Sequence, residues 1–292
     1  MKYLTINILH HHLHTEFRAK MSIMAQFAKY WEKEGHIVNF LFGCEEYIPA
    51  DILVIHVDLS ETPEEYLTFA RQYPRVVNLG LTDIRKRAIS RNLVERGDAY
   101  RGPVIIKTDL NCGGTPEVKL GTRPEAKPLS WLQRMKKRYK LKDPGVIQTP
   151  SDYLIYSQKR KVPRSVFKND ELIVEKFLPE KHGEAYYQRR YYFLGEKEYN
   201  EIHSTSVPIH AVDSDDHLID YWEEQEIPVQ LQAYRKELKA DFGKIDYVIR
   251  DGQVVVFDVN RTPSAGNVKG DPVAAKWAQT IAERLHSGIY PT

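Results

Sequence analysis

The sequence predicts an N-terminal α/β domain with a doubly wound parallel sheet, followed by a region of strands and glycine-containing turns. Two observations predict the first domain. Strand-like and helix-like segments alternate along the first third of the chain, the pattern of parallel strands joined by helices. Apolar residues also repeat at the spacing of one helix face. Strands are predicted at residues 3–9, 37–42, 52–57 and 75–79, and helices at 16–34 and 62–72.

Local signals mark the ends of these helices. The first predicted helix carries apolar residues at helical spacing as far as Trp31, and Gly35 stands where a helix C-terminus favours glycine. The stretch Thr62-Pro63-Glu64-Glu65 predicts a capping box with proline at the first helical position. A strongly basic helix is predicted at 82–96. We therefore place the first domain at residues 1–81 and the second at 82–292.

The composition excludes several classes of protein. The chain has 292 residues and a formal net charge of +2. No apolar run approaches the ~20 residues that a membrane-spanning helix needs. The N-terminus lacks a long apolar region with a small-residue cleavage site, so we expect a cytoplasmic protein without membrane partners. Cys44 and Cys112 are far apart in the sequence, which fits reduced thiols.

Two clusters of one residue type each allow more than one interpretation. Four histidines lie at residues 10–14 and could bind a transition metal. A polar loop facing the ligand crevice is favoured, because no thiolate or acidic residue lies nearby in sequence. Residues 127–168 hold twelve Lys and Arg against only Asp143 and Asp152. This segment fits a solvated helix, or a basic flap over a triphosphate or an acidic substrate.

Nucleic-acid binding is a further interpretation of the basic segment. Tyr139, Tyr153 and Tyr156 are interleaved with its charges, and aromatic rings between basic side chains can stack on bases. The small net charge of the whole chain argues against this interpretation.

A phosphate-binding pattern follows the first domain. A β-branched strand at 103–107 ends in Lys107 and runs into a loop that contains Gly113 and Gly114. A lysine in this position can reach a phosphate, and paired glycines let backbone N–H groups close around phosphate oxygens. The pattern is not a P-loop, because no Gly-Lys-Ser/Thr follows. An ordinary turn beside an exposed lysine fits the same residues.

A short apolar strand at 172–178 leads into an extended segment. It ends with Glu175, Lys176, Phe177 and Leu178. Backbone donors and acceptors flanked by apolar side chains are what an adenine needs. Glu184 comes next, and Arg189 and Arg190 lie on a following strand. Because successive side chains alternate along a strand, one of these two arginines should face the cleft.

The most informative stretch is a predicted β-hairpin at 245–260. It places Asp246, Asp258 and Asn260 in runs that are otherwise rich in Val, Ile, Tyr and Phe. Carboxylates there need a reason, because an unpaired buried charge is costly. Mg²⁺ binds to one or two carboxylates together with substrate phosphate. We therefore predict that these three side chains hold magnesium beside a nucleotide.

The register of this hairpin decides whether the three side chains meet. Asp258 and Asn260 share a face of their strand. A two-residue turn at Asp251-Gly252 would pair Arg250 with Gln253 and would put Asp246 on the opposite face. We therefore predict a three-residue loop over 250–252, which pairs residue 249 with residue 253.

In this order the stretches resemble the ATP-grasp superfamily over residues 103–266. The resemblance lies in a strand-borne lysine with a Gly-rich loop, a hinge strand with a glutamate, and a carboxylate twelve residues before carboxylate-x-Asn. It implies an ATP-grasp fold, in which two α+β subdomains clasp the nucleotide after a Rossmann-like N-terminal domain. The implied lid subdomain covers about 103–175, and the metal-binding subdomain covers about 176–292.

The resemblance implies nucleotide contacts for individual residues. Lys107 would contact ATP phosphates beneath the glycine flap, and Lys86 is the candidate for the family's earlier phosphate-binding lysine. The hinge at 175–178 would meet the adenine. Glu184 would take the ribose, although the inserted residues 179–182 stretch the usual spacing and make Glu180 the alternative.

The resemblance also implies metal and catalytic roles. Asp246, Asp258 and Asn260 would hold Mg²⁺, with Mn²⁺ as a substitute ion, although one of the first two carboxylates is commonly Glu in the family. Arg190 or Arg189 would stabilise the transferring phosphoryl group. Arg261 would hold a substrate carboxylate or the acyl phosphate, or would be a surface loop residue.

The implied activity is that of an ATP- and Mg²⁺-dependent ligase, which joins a carboxylate to an amine through an acyl phosphate. The expected substrates are small molecules or peptides. A kinase for a small acceptor and a nucleotide-binding protein without turnover are alternatives. Lys107 together with all three metal ligands argues against the last of these. The sequence names neither the acid nor the amine, and it gives no evidence for or against a homodimer.

Overall fold

The computed structural model describes residues 3–20, 22–125, 128, 130–139, 143–209, 218–264 and 272–290. Three of the twelve basic residues in the segment 127–168 lie outside the described residues, namely Lys127, Lys140 and Lys142. Within these ranges, no helix is both long enough and apolar enough to span a bilayer.

The N-terminal part is a parallel four-stranded sheet in the order β2-β1-β3-β4, as the alternating pattern predicts. Ile6 of β1 pairs with Val38 on one side and Ile52 on the other. The elements are β1 (Thr5–His10), α1 (Glu16–Ala19), α2 (Ile23–Lys33), β2 (Ile37–Phe42), β3 (Ile52–Ile55), α3 (Glu64–Ala70) and β4 (Val76–Val77). The apolar face of α2 packs on this sheet through Met24, Phe27 and Trp31.

Two details of the predicted helices in this domain differ from the structure. The helix predicted at 16–34 is divided, because the Ser22 hydroxyl accepts a hydrogen bond from Ala25 N–H and begins α2 as a separate helix. The capping box at residues 62–65 does not form. Pro63 is the N-cap of α3 and offers no side-chain hydrogen bond, while the backbone N–H of Thr62 donates to the carbonyl of Thr82.

The basic helix predicted at 82–96 is also wrong, since only α4 (Lys86–Ile89) forms. Three consecutive basic side chains are drawn to three different acidic partners. Arg85 pairs with Asp83, Lys86 with Asp258, and Arg87 with Asp109. The pairs of Lys86 and Arg87 hold the segment against distant parts of the chain and override its local helix propensity.

A small antiparallel sheet follows, in the order β6-β5-β7. Its strands are β5 (Val104–Thr108), β6 (Leu154–Tyr156) and β7 (Leu172–Lys176), with α5 (Thr115–Lys119) and α6 (Trp131–Arg138) inserted after β5. Its apolar face has a core of its own, which includes Val104, Ile106 and Val174. Short 3₁₀ turns connect the remaining segments.

The largest sheet is antiparallel, in the order β11-β10-β9-β12-β13, and β8 pairs with β9 beside this path. Its elements are β8 (Glu180–His182), β9 (Ala185–Leu194), β10 (Lys197–Thr205), β11 (Leu218–Glu223), α7 (Val229–Glu237), β12 (Phe242–Arg250), β13 (Gln253–Asn260) and α8 (Pro272–Leu285). One face packs against α7. Part of the other face packs against α8, which buries Ile281 and Leu285.

The two ends of the chain share one core. Tyr192 and Leu194 of the large sheet lie in the same apolar cluster as the N-terminal sheet and α8. The indole Nε1 of Trp31 also donates to the carbonyl of His286 at 2.9 Å. A parallel α/β sheet followed by two antiparallel sheets with helices confirms the predicted fold class, an α/β N-terminal domain followed by α+β units.

The histidine cluster lies at the carboxyl ends of β1 and β3. His10 and His56 are buried, with ring centroids 5.0 Å apart, and Phe40 and Phe42 stack on His10. Their four ring nitrogens have no hydrogen-bond partner in the described structure. Burial lowers the pKa of His56 to about 3 and holds the pKa of His10 well below its ordinary value. Within the described ranges, no group of three or more His, Cys, Asp or Glu is arranged to hold a metal.

We predict that the free energy of unfolding falls as the pH is lowered from 6.5 towards 3, because the unfolded chain binds protons that buried His10 and His56 do not accept. Each histidine can contribute about 1.4 kcal/mol per pH unit in this range. His10→Phe and His56→Phe keep an aromatic ring and remove the titrating group. Denaturant unfolding should show a smaller pH slope for each variant, and stabilities close to wild type above the range. An unchanged slope would show that these histidines do not control acid stability.

Candidate active site

The hairpin of β12 and β13 has a two-residue turn, so the predicted three-residue loop is wrong. Arg250 pairs with Gln253. Asp251 and Gly252 both have positive φ, 52° and 72°, as a type I′ turn requires. The register then shifts by one residue, because Tyr247 pairs with Val256 whereas Asp246 pairs with Asp258. Phe257 is the extra residue of this β-bulge.

The bulge restores the predicted arrangement of the carboxylates. Asp246 lies directly opposite Asp258, and Lys244 lies directly opposite Asn260. Since residues two apart share a face of a strand, all four side chains lie on one face of the sheet. The register continues across the neighbouring strands, where Asp246 pairs with Arg190 and Arg190 pairs with Glu201. Four charged residues therefore form a row across β10, β9, β12 and β13.

Three lysine–carboxylate pairs lie at this site, and each lysine is buried. They are Lys86 Nζ with Asp258 Oδ1 at 2.9 Å, Lys107 Nζ with Glu175 Oε2 at 2.6 Å, and Lys244 Nζ with Asp246 Oδ2 at 2.7 Å. Burial lowers the pKa of Lys86, but the Asp258 carboxylate outweighs burial and raises it above the ordinary value. The lysine ammonium groups therefore balance the carboxylates.

The predicted metal ligands fit Mg²⁺. Asp246 Oδ1 is buried and has no hydrogen-bond partner among the described residues, so one carboxylate oxygen is left for a ligand. Asn260 Oδ1 accepts a hydrogen bond from the backbone N–H of Thr262 at 2.8 Å, which fixes the direction of its amide. Two carboxylates and an amide oxygen, completed by phosphate and water, form the hard oxygen set that Mg²⁺ takes.

The glycine loop after β5 requires its glycines. Gly113 and Gly114 have φ of 72° and 77°, and a Cβ at Gly113 would lie 2.2 Å from the carbonyl oxygen of Gln148. Cys112 shares the left-handed conformation, with φ of 47°. The backbone N–H of Asn111 donates to Ser60 Oγ and ties the loop to the N-terminal domain. Successive left-handed residues aim backbone N–H groups into one concavity, which suits an anion.

The predicted hinge strand has part of its backbone engaged within the protein. The backbone N–H groups of Lys176 and Phe177 already donate to the carbonyls of Asn92 and Pro103, so these two donors are engaged within the protein. The Glu175 side chain pairs with Lys107 and is buried. Hydrogen bonds from the hinge to an adenine must therefore use other groups of residues 175–178, such as carbonyls and the amide of Leu178.

The two ribose candidates have different surroundings. Glu184 is exposed beside the turn between β8 and β9. Glu180 is buried, and its carboxylate accepts hydrogen bonds from the Arg189 guanidinium and from the backbone N–H of Ile249. Burial raises the pKa of Glu180, but these bonds outweigh it and lower the pKa below its ordinary value. Glu184 is thus the freer of the two for a ligand.

The structure separates the two arginines of β9. Arg189 pairs with Tyr247 and points to the face that packs against α7, away from the aspartates. Arg190 lies on the aspartate face, between Asp246 and Glu201 in the strand register. Burial lowers the pKa of Arg190, but Tyr192, Asp246 and Glu201 outweigh burial and raise it. Of the two predicted arginines, Arg190 therefore shares a face with the candidate metal ligands, and Arg189 does not.

Arg261 does not have the predicted surroundings. Its guanidinium is fully buried and donates to the carbonyls of Leu59, Leu81 and Thr82. Burial lowers the pKa of Arg261 to about 10, which still leaves it charged at neutral pH. The Arg261 side chain therefore joins the end of β13 to the N-terminal domain and to the segment before α4. It does not point at a substrate.

The sequence interpretation missed Lys244 and the pair formed by Asp58 and Thr262. Lys244 could have been found, because it precedes Asp246 by two residues and so shares its strand face. Asp58 lies just beyond β3, and its Oδ1 accepts a hydrogen bond from the Thr262 hydroxyl at 2.7 Å. That contact joins residues 204 positions apart, so no local signal indicated it.

Comparisons with known proteins show similarity at the level of solved structures only. No family model matches the chain, and no curated protein matches its sequence. D-alanine–D-alanine ligase from Bacillus anthracis, complexed with ATP, superposes with a TM-score of 0.47 and 14% identity, over 97% of this chain and 96% of the other.

Two further solved structures give similar values. A RimK domain protein ATP-grasp from Sphaerobacter thermophilus has a TM-score of 0.46 and 10% identity over 98% and 99% of the two chains. The macrocyclase MdnB from Microcystis aeruginosa has 0.42 and 10% over 95% and 98%. At these values the superpositions assign no activity to the chain.

We predict that Arg261→Leu lowers the free energy of unfolding by about 2–4 kcal/mol, because buried carbonyls lose their donors. Arg71→Leu is the matched control, since Arg71 is exposed and pairs with exposed Glu64, and it should cost less than about 0.5 kcal/mol. Denaturant unfolding of both variants measures the difference. Wild-type stability in Arg261→Leu, combined with lost ligand binding, would return Arg261 to the substrate site.

Proposed function

We propose that the protein is an ATP- and Mg²⁺-dependent ligase, which activates a carboxylate as an acyl phosphate and transfers the acyl group to an amine. The observation that carries the proposal is the set of three buried lysine–carboxylate pairs, Lys86–Asp258, Lys107–Glu175 and Lys244–Asp246. Each pair contains a cation suited to phosphate. Two of them also contain a carboxylate predicted to bind the metal.

The pairs explain how a charged ligand could enter a buried site. Breaking a buried ion pair by removing one partner is strongly destabilising. If Mg²⁺ and ATP arrive together, Asp246 and Asp258 exchange their lysines for the metal, and Lys86 and Lys244 exchange their carboxylates for phosphate. The charges of these two pairs then all keep a partner, and Lys107 meets phosphate while it keeps its pair with Glu175. The exchange favours a magnesium–nucleotide complex over either component alone.

Transfer needs positioning and charge neutralisation from the protein, and no protein nucleophile. The substrate carboxylate oxygen bonds to the γ-phosphorus while the bond to the β-phosphate oxygen breaks, which gives acyl phosphate and ADP. Lys86, Lys107 and Arg190 would stabilise negative charge on the phosphoryl oxygens. Bound Mg²⁺ would add charge neutralisation and orient the phosphates. The amine then attacks the acyl carbon and releases inorganic phosphate.

The proposed substrates are small or peptide-like carboxylates and amines. The charged row of the large sheet continues from Asp246 to Arg190, and Glu201 is the next residue in the row. Glu201 is fully buried and accepts hydrogen bonds from His203 Nε2 at 2.8 Å and Trp277 Nε1 at 2.9 Å. The guanidinium of Arg190 beside this fixed carboxylate suits a substrate that carries a carboxylate.

We predict that ATP and Mg²⁺ stabilise the protein together far more than either does alone. A ligand at about 100 times its dissociation constant raises the free energy of unfolding by about 2.7 kcal/mol. Thermal unfolding with a non-hydrolysable ATP analogue, with and without Mg²⁺, measures the effect. Asp258→Asn should abolish the joint shift, because it removes a metal ligand.

The controls separate loss of binding from loss of folding. Lys86→Met combined with Asp258→Asn removes both charges of one pair, so the variant should fold and should not bind. Lys20→Met alters an exposed surface pair with Glu16 and should keep the full shift. If Asp258→Asn retains the Mg²⁺-dependent shift, these residues do not form the nucleotide site.

We predict that turnover releases ADP and inorganic phosphate in equal amounts, only when an acid and an amine are both present. If the substrate carboxylate is labelled with heavy oxygen, the label should appear in the released phosphate. The reason is that the bridging oxygen of the acyl phosphate comes from this carboxylate and leaves with the phosphate. Lys107→Met should lower kcat by roughly a hundredfold or more. ADP formed with a phosphorylated product and without phosphate release would instead identify a kinase. Isotope entering phosphate only from water would identify simple ATP hydrolysis.

A further inference from the structure

Helix α6, which lies in the insertion between β5 and β6, exposes an apolar stripe. Trp131, Leu132, Met135 and Tyr139 have 69%, 54%, 40% and 62% of their surface exposed. Their spacing of one, three and four residues places them on one face of the helix and its C-terminal turn. A monomeric protein seldom exposes clustered large apolar side chains without an interaction partner.

The helix is attached to the protein through a different side. Gln133 is half-buried, and its Nε2 donates to the carbonyl of Gly145 at 3.1 Å, while its Oε1 accepts from the backbone N–H of Ser130 at 2.9 Å. No residue of α6 whose burial is described lies in the core. The stripe therefore faces outward, because the hydrogen bond of Gln133 to Gly145 holds the other side of the helix against the protein.

The charge around the stripe limits what can cover it. Residues 131–139 themselves contain Arg134, Lys136, Lys137 and Arg138 and no acidic residue, and Arg138 is exposed. Two copies of this surface would repel each other, so a second copy of the chain is disfavoured. The chemistry that fits is a negatively charged segment with apolar side chains of its own.

We propose that the apolar stripe of α6, with its flanking arginines, docks an acidic amphipathic peptide segment. Nucleic acid fits less well, because Leu132 and Met135 lie between the aromatic rings and cannot stack on bases as Trp131 and Tyr139 could. An anionic membrane also fits less well, because membrane affinity scales with buried apolar area and a two-turn helix offers little. The proposal concerns binding and does not depend on nucleotide turnover.

The test uses the full chain and the fluorescence of Trp131, the most exposed tryptophan among those described. The probe is a synthetic amphipathic helix with leucine on one face and glutamate on the other. The expected result is a blue shift that saturates with the probe, weakens as salt is raised and is lost in Trp131→Phe. The same peptide with lysine in place of glutamate should not bind.

The variants assign the binding to this surface. Leu132→Ser with Met135→Ser, and separately Arg138→Glu, should each weaken the peptide by at least about tenfold. Val229→Ser, at an exposed apolar residue on α7, should bind like wild type. The proposal is overturned if the acidic peptide does not bind, or if it binds equally to all variants. It is also overturned if only poly-dT or phosphatidylserine vesicles bind through these residues.

Discussion

The face of the large sheet that carries the candidate metal ligands depends on one extra residue, Phe257, in β13. The turn at Asp251-Gly252 alone would set a register that places Asp258 and Asn260 on the apolar face beside α7, opposite to Asp246. The bulge at Phe257 resets the pairing, so that Asp246 lies opposite Asp258. The same face then continues to Arg190. A tight type I′ turn and a face that carries Asp246, Asp258 and Asn260 together are compatible because the bulge lies between them.

The lysines that balance these carboxylates come from three parts of the chain. Lys86 lies on α4, Lys107 on the small sheet, and Lys244 on the same strand as Asp246. Lys107 also approaches the carbonyl of Phe257 at 3.5 Å and its ring at 5.4 Å, so the small sheet touches the bulge itself. The ion pairs therefore also fix how α4 and the small sheet lie against the large sheet, because each lysine is held beside its carboxylate. A ligand that displaces the pairs necessarily acts on these inter-element contacts.

Buried polar contacts outside the row of candidate ligands hold the site in place. Arg261 holds three carbonyls of the N-terminal domain and of the segment before α4. Thr262 joins Asp58 to the amide of Asn260. On the opposite face, Arg189 and Glu180 form a paired charge that holds β8 against β9. The strand ends that carry the candidate ligands are thus positioned by buried polar contacts, which are costly to break.

The sequence by itself determined the parallel N-terminal sheet, the lysine strand with its glycines, and the carboxylates of the hairpin, because period and turn chemistry are local properties. It could not determine the short α4, where ion pairs with distant residues override helix propensity. Only the tertiary structure showed which of Arg189 and Arg190 shares a face with the aspartates. It also showed that Arg261 is buried and binds backbone carbonyls, and that β13 has a bulge at Phe257. Those outcomes depend on which strands pair and in what register, and pairing is a contact between residues far apart in the chain.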